Sequence, residues 1–596
     1  MKESYFFQTY RNIKNKLPDY VLNSMKSLIP AFFASSMFEI FGLLILFPVI
    51  NVIIDAGTIQ KTSYLQFIYD RFQFHNTVSF VLFLLSSITI IFILKNIFLF
   101  MIYRMQSNIS YDLVRKITLE KYQSYLNKSY SFHAENNTSV LLRNFVQIPS
   151  DLISYSVLPF FNIVNELFII LLIISGIVAY DTLLFISLVL FAFVFLLIYN
   201  RTYKKKLKSI SELKNTSHEG MYKTGMQSME GFREILVFDK QKYFKGAFQK
   251  HLNTFSKASG DSYLLNIFSP KIVETTAVIA IFLIFIFGYL FNKNLNSLAQ
   301  FLIFFSIAAY RIIPSINKMI LSFNYMKASA YVYEYFDKSD FQSPTNKTEP
   351  KNSVGVLNFN KTISIRNLSF KFSNKKEPIL KNISLSIGKS KTIGITGPSG
   401  SGKTTLLNIL LRLYEEQEGG IFVDNVKIDR AKLSEWYKIT SYVPQNTILL
   451  DGTVAENIAF GVEKNEINYE LLNDVIEKSL LKKFIDGLAE GVATQIGEKG
   501  IKISGGQRQR IGIARALYHQ GEILIFDEAT SSLDYETEKM LTESIDNIST
   551  KTDMTVIIVA HRLQTLQYCN EIYKLENGVI SEVTTYANLM QQNTTP

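Results

Sequence analysis

Only one cysteine, Cys569, occurs in the 596 residues. A disulfide within the chain is thereby excluded, and so is a zinc site built from several cysteines. This usage fits a cytosolic redox environment. Charge is scarce as well: Asp, Glu, Lys and Arg make up 19% of the chain, against 48% apolar residues. That balance is too apolar for a soluble multidomain enzyme and too charged for a chain wholly immersed in lipid. The first twenty residues, MKESYFFQTYRNIKNKLPDY, lack the uninterrupted apolar core of a cleavable signal, because charged and aromatic residues alternate in them. They read as a helix lying in the membrane interface.

What is abundant lies mostly before residue 330. Apolar runs recur near 23–54, 78–103, 157–179, 182–199, 272–292 and 298–325. Each approaches or exceeds the ~20 residues a helix needs to cross the hydrocarbon core. Six spans put both ends of this region on the same side. The intervening segments 104–156 and 200–271 are long, polar and basic, whereas 179–182 and 293–297 are tight turns. Basic residues gather in cytoplasmic loops, so the long segments are expected inside, with helices running well beyond the bilayer. The same rule accounts for the net charge of +11 better than nucleic-acid binding does. The outer segment 55–77 places Leu65, Ile68, Tyr69 and Phe72 at helical spacing. It reads either as a short amphipathic helix or as a loop packed against its own spans, the packing role standing against a role at the substrate.

The chain divides accordingly into an interfacial elbow (1–20), a transmembrane domain (21–335), a polar linker (336–354) and a soluble domain (355–596). Charges at membrane depth are expensive and face a cavity, a partner or a ligand. Arg311 and Lys318 interrupt the last span two helical turns apart, on one face. Lys95, Glu39, Glu166 and Glu274 interrupt others. Glu39 with Lys95, or Arg311 with Glu39 or Glu274, are possible internal pairs.

In the soluble half, GPSGSGKTT (397–405) fits G-x-x-x-x-G-K-S/T, after the strand-like KTIGIT and before the apolar helix TLLNILLRLY. Glycines in such a loop bring backbone N–H groups to phosphates, and the helix N-terminus favours the anion. The loop residues Gly397, Ser399, Gly400, Ser401, Gly402, Lys403, Thr404 and Thr405 are therefore candidates for holding ATP. Lys403 should reach the β- and γ-phosphates and Thr404 should hold Mg²⁺. The run EILIFDEAT (522–530) reads as a buried strand delivering Asp527 to the metal and Glu528 to the attacking water.

Between these motifs stands ISGGQRQR (503–510), and with it the domain resembles the ATPase of ATP-binding cassette (ABC) transporters. Ile503 replaces the usual leucine of that signature. The resemblance implies that Phe372, where tyrosine is commoner, stacks on adenine. It implies that Gln445 in YVPQ senses the metal, that Asp534 in SSLD crosses a dimer interface, and that His561 contacts the γ-phosphate. Catalysis would rest on Glu528, His561 and Lys403. Because each ATP in this family lies between the phosphate loop of one cassette and the signature (Ser504, Gly505, Gly506, Gln507) of another, a homodimer is implied.

The element TQIGEKG (494–500) and the fusion to six spans resemble exporters. The expected fold is thus an all-α six-helix transmembrane domain fused to an α/β P-loop ATPase, in a bacterial cytoplasmic membrane. The segments FEIFGLLILFPVI, MEGFREILVFDKQKYF and AAYRIIPSIN look like those of lipid-linked oligosaccharide flippases. That likeness implies a polyprenyl pyrophosphate glycan as cargo, read by Arg311, Lys318 and Lys95. Exporters of lipid A, drugs or peptides share the architecture, and an ATP-gated channel or regulator would need no cargo.

Overall fold

The structure, a computed structural model, describes residues 5–44, 46–54, 56–180, 209–210, 212–290, 295–341, 357–372, 375–496, 503–528, 536, 538–540, 542–543, 545–546, 553–560 and 562–594. The chain forms two compact units: Met1–Lys128 with Asn136–Thr345, and Ser129–Glu135 with Asn346–Pro596.

The first unit is helical. The elbow is α1 (Tyr5–Lys16), followed by α2 (Asp19–Ser27), α3 (Ile29–Leu44) and α4 (Leu46–Ile54). The run 23–54, expected as one span, is therefore divided. One cause is Pro30, which has no N–H to offer the carbonyl of Lys26 and interrupts the ladder between α2 and α3. In the 55–77 segment both readings hold at once. Residues Ser63–Arg71 form α5, and its buried Leu65 packs with Val52, Ile59 and Phe80. Ile68 and Tyr69 of the period-3.6 face pack against this cluster, whereas Phe72 stays exposed.

Two helices reach 50 residues, α6 (Thr77–Leu126) and a later helix, Gln241–Leu290. At 1.5 Å per residue each is about 75 Å long, more than twice the hydrocarbon core. Asn76 caps α6 by accepting from the Val78 N–H at 2.9 Å. The short α7 (Tyr130–Glu135) belongs to the second unit, and its Tyr130 meets Tyr414 edge-on at 5.5 Å. Next come α8 (Thr138–Leu152) and α9 (Leu158–Tyr180), joined by a π-helical turn at Ile153–Val157. Then follow α10 (Phe232–Val237), α11 (Gln241–Leu290) and α12 (Leu295–Ala328), with a 3₁₀ turn at Ala330–Tyr335. Among the described residues three helices are long and apolar enough to cross a membrane by length and composition. The expected span 182–199 lies outside the described residues.

Among the described residues the second unit is built on two larger sheets, with a two-stranded ribbon pairing Gly452–Thr453 and Gln495–Ile496. An antiparallel sheet runs β2-β1-β4-β5, from β1 (Thr362–Phe370), β2 (Leu380–Gly388), β4 (Glu418–Val423) and β5 (Val426–Lys427). The other runs β10-β9-β3-β8-β7-β6. Its parallel strands are β3 (Thr392–Thr396), β6 (Thr440–Val443), β7 (Ile523–Asp527), β8 (Thr555–Val559) and β9 (Glu571–Glu576), with β10 (Val579–Thr584) antiparallel at one edge. The strands β3, β7 and β8 are buried at every residue, as expected of parallel strands covered on both faces. One core, around Ile365, Leu407, Trp436 and Ile557, lies against the antiparallel sheet. The sole tryptophan, Trp436, is fully buried and donates its indole N–H to the Leu410 carbonyl at 3.1 Å.

Candidate nucleotide site and membrane charge cluster

In an open parallel sheet, ligands bind beyond the carboxyl ends of the strands. Here β3 ends in the loop 397–402, β7 ends in Asp527 and Glu528, and β6 leads to Gln445. The strand β8 lies between β3 and β7, and rungs past the strand ends bind the three together. The Glu528 N–H donates to the Val559 carbonyl at 2.9 Å, and the Ala560 N–H to that of Ile395 at 3.1 Å. Hydrogen bonding therefore sets the loop and the two carboxylates side by side.

The phosphate loop wraps the start of α13 (Lys403–Leu410). A Cβ at Gly397 would collide with the Leu575 carbonyl oxygen. At Gly402, with φ +105°, it would stand 2.8 Å from the Leu380 side chain. Only glycine lets this loop close around an anion. Lys403 is buried and donates to the carbonyls of Gly397 at 2.9 Å and Pro398 at 3.0 Å. Burial lowers its pKa, partly offset by the Glu528 charge. The Ser401 hydroxyl is buried and finds no hydrogen-bond partner among the described residues. An orphaned donor inside a glycine cradle, at a helix N-terminus, suits a phosphate oxygen.

The acidic side is equally ordered. Asp527 accepts a long hydrogen bond from the Tyr442 hydroxyl at 3.3 Å, and burial raises its pKa, with the Glu528 charge adding to the shift. A buried carboxylate with so little neutralisation fits a divalent cation, for which Thr404 in the first turn of α13 and Gln445 after β6 are the further candidate ligands. Gln445 donates its amide to Glu528 at 2.9 Å. Glu528 itself adopts φ +48°, a left-handed conformation rare for a branched-free acidic residue in a strand exit. Such strain is tolerated where surrounding structure imposes it. Tyr442 had no assigned role in the sequence, although its place two residues before Pro444 in YVPQ was the available signal.

Ser504 and Gln507 form a capping box on α14 (Gly505–Tyr518). The Ser504 hydroxyl accepts from the Gln507 N–H at 3.2 Å, and the Gln507 side chain accepts from the Ser504 N–H at 2.8 Å. The N–H groups of Gly505 and Gly506 remain at the positive end of a 14-residue helix. Phe372 stands edge-on to Phe370 at 5.0 Å and to Tyr414 at 5.3 Å, closing an aromatic cluster. Asp534 and His561 lie outside the described residues.

A second group of charges lies in the helical unit, where Arg311 and Lys318 do not form the free cationic lining expected of them. The Arg311 guanidinium hydrogen-bonds the Glu39 carboxylate of α3 and approaches that of Glu166 on α9 at 3.2 Å. Lys318 donates to the other oxygen of Glu166 at 3.0 Å. Ser315, one turn from Arg311, donates to Glu166 at 2.7 Å and accepts from Arg311 at 2.9 Å. The physical reason is desolvation: charges removed from water persist only when paired and hydrogen-bonded. Glu39 accordingly takes Arg311 and not Lys95, and Glu274 takes Lys271 at 2.9 Å and not Arg311. Lys95 has no carboxylate within 4.0 Å among the described residues, and its ammonium sits 4.4 Å from the Phe92 ring centroid. Ser315 was missed in the sequence; its i+4 spacing from Arg311 was the signal.

Comparison with known proteins agrees with this architecture. Residues 29–314 match the family described as ABC transporter transmembrane region, and residues 380–531 match the one described as ABC transporter. The ATP-dependent lipid A-core flippase of Francisella tularensis subsp. holarctica (strain OSU18) is 32% identical over 394 residues, which cover 65% of this chain and 63% of that protein. The aligned stretch thus spans under two thirds of that relative's length. The flippase of the same name from Photorhabdus laumondii is 32% identical over 397 residues, 66% of this chain and 67% of the relative. The solved structure of a bacterial Atm1-family ABC exporter with ATP bound superposes with a TM-score of 0.74 at 19% identity, covering 96% of both chains. With its helical region and its P-loop domain on one polypeptide, the chain belongs to the ABC transporter family.

Proposed function

We propose that this protein is an ATP-driven exporter that flips a lipid-linked oligosaccharide, a glycan on polyprenyl pyrophosphate, across a bacterial cytoplasmic membrane. The observation that carries the motor part is the convergence of the phosphate loop, Asp527, Glu528 and Gln445 at the ends of adjacent parallel strands. Lys403 and the loop N–H groups bind and orient the phosphates, and Ser401 supplies a further donor. Mg²⁺, when bound, offsets the phosphate charge. Thr404, Asp527 and Gln445 would hold it. Glu528 takes the proton of the attacking water, and Gln445, bonded to that carboxylate, positions it. Phe372 would stack on adenine, and Asp534 and His561 would complete the site.

Each site would also need Ser504, Gly505, Gly506 and Gln507 of a second copy, so a homodimer is the working unit. For the cargo, the supporting observation is Lys95, a cation within an apolar helix with no carboxylate partner among the described residues. A pyrophosphate headgroup satisfies such a cation. Lipid A is the second reading, favoured by the names of the Francisella and Photorhabdus relatives.

The test is ATPase stimulation and lipid translocation in proteoliposomes, offered a polyprenyl pyrophosphate glycan, lipid A, and a neutral glycolipid in turn. Stimulation by the first supports the reading. Stimulation by lipid A alone replaces the cargo, and stimulation by the neutral lipid alone removes the anionic headgroup from it.

A further inference from the structure

Glu166 has no role in the function proposed above, yet it is the carboxylate that meets both cations of the charge cluster. Its side chain is 2% exposed, and its two oxygens are shared among Arg311, Ser315 and Lys318. The cluster holds two carboxylates, Glu39 and Glu166, and two cations, Arg311 and Lys318. Its formal charge is therefore zero, and an approaching anion gains little from it at a distance.

The two cations are not equally committed. Arg311 is 13% exposed and bridges both carboxylates, so it belongs to the packed interior of α3, α9 and α12. The Lys318 side chain is 50% exposed and is held by Glu166 alone among the described residues. Its flexible stem can carry the ammonium away from Glu166 without moving a helix. When Lys318 leaves, Glu166 keeps its hydrogen bonds to Ser315 and Arg311, which lowers the cost of parting, but Arg311 is then the one cation shared by Glu39 and Glu166 within the cluster.

We propose that Glu166 is the resident counter-anion of the cargo site: it holds Lys318 until a phosphate-bearing lipid takes the ammonium over. The proposal rests on an anionic cargo, as read above, and gives the site a threshold. A lipid enters the cation only if its headgroup outcompetes a buried carboxylate. Neutral or weakly anionic amphiphiles, which fill the membrane around the protein, do not. Discrimination is then a difference between two pairings of one lysine, which is how specificity against common competitors is built.

The experiment uses the full-length transporter in phosphatidylcholine proteoliposomes. ATPase activity is titrated with polyprenyl pyrophosphate, with lipid A, and with polyprenol as the neutral control. Glu166→Gln keeps the shape and one acceptor oxygen but removes the competing charge and the second acceptor. The half-maximal concentration of the stimulating anionic lipid should fall roughly tenfold, equivalent to ~1.4 kcal/mol. Polyprenol should remain without effect. Lys318→Gln, at a half-exposed position, tests the same site without leaving a buried charge unpaired by Arg311; it should raise that concentration by a similar factor. If an anionic lipid stimulates the wild type and neither variant shifts its half-maximal concentration, the role of Glu166 is overturned while the cargo reading stands. If lipid A stimulates in place of polyprenyl pyrophosphate and the shifts appear with it, the oligosaccharide reading falls and the counter-anion stands. Equal shifts for lipid A and polyprenol, or no stimulation by any anionic lipid, overturn the proposal.

Discussion

Lys121 of α6, fully buried, holds its ammonium 4.2 Å from the ring centroid of Phe336 and hydrogen-bonds the Tyr335 carbonyl. It is one of three cations gripping the short segment that follows α12. Lys16 of α1 donates to the Tyr333 carbonyl at 2.8 Å, and Arg143 of α8 donates to the Tyr335 hydroxyl at 3.0 Å. The Ser329 hydroxyl, at the base of this segment, donates to the Tyr155 carbonyl of the π-helical turn at 2.9 Å. Carbonyls of the 3₁₀ segment accept from the long cationic side chains of two helices, and a third helix supplies the donor to the Tyr335 hydroxyl.

Replacing Lys121 by Met should keep the volume but strand the Tyr335 carbonyl and remove the cation–π contact. An unsatisfied buried acceptor costs ~1–3 kcal/mol. Thermal denaturation of the purified variant should show a lower midpoint. An unchanged midpoint would mean that the segment is held by its aromatic packing.

Glu528→Gln should lower ATP turnover by at least ~10²-fold, the low end for loss of a general base. The hydrogen bond from Gln445 can still form to the amide oxygen, so ATP binding should persist. Equilibrium binding of a fluorescent ATP analogue, measured beside phosphate release, separates the two. Turnover within a few-fold of wild type would transfer the base to another group.

Asp527 has a raised pKa, so its ionised form is disfavoured by the fold. A group whose folded pKa lies above its unfolded value binds its proton more tightly when folded. Its cost to stability is therefore fully present at neutral pH and disappears as pH falls through the folded pKa towards the unfolded one. Asp527→Asn should raise the melting midpoint of the nucleotide-free protein at pH 7 and leave it nearly unchanged in the acid range where the wild type is protonated. The same variant should lose Mg²⁺-dependent turnover. A lower midpoint at pH 7 would show that the carboxylate is compensated by a partner besides Tyr442.

Arg311→Ala leaves Glu39 and Glu166 facing one another with only Lys318 between them and solvent. Breaking a buried pair from one side costs about 3–5 kcal/mol. Yield and melting temperature should both fall. Adding Glu39→Gln to that variant should recover much of the loss, because the carboxylate left without its partner is then gone. If the double variant is no more stable than the single one, Arg311 contributes through packing and not through charge.

A mixed dimer containing one Lys403→Ala chain should lose well over half of the cooperative transport if each site draws its signature from the other chain. Tandem-linked chains with one altered loop provide the measurement. Transport at half the wild-type rate would indicate independent sites.

Local chemistry was legible in the chain because it is written in contiguous residues. The strand KTIGIT, the loop GPSGSGKTT and the helix after it are adjacent in sequence, and the structure has them as β3, residues 397–402 and α13. The alternation of long apolar runs with basic segments likewise follows from hydropathy, which needs no tertiary contact. Glu166 shows where that legibility stops. It lies 145 residues before Arg311 and 152 before Lys318, so nothing in its neighbourhood marks it as their partner. Burial assigned the pairs: with α3, α9 and α12 packed together, each carboxylate took the nearest cation that desolvation also forbade to remain alone. Lys95 and Glu39 had the right charges for one another, but the packing of three helices put Arg311 between the two carboxylates first. Sequence carries the kinds of charge and their cost in an apolar environment; which charge meets which is a property of helix packing over more than a hundred residues of separation.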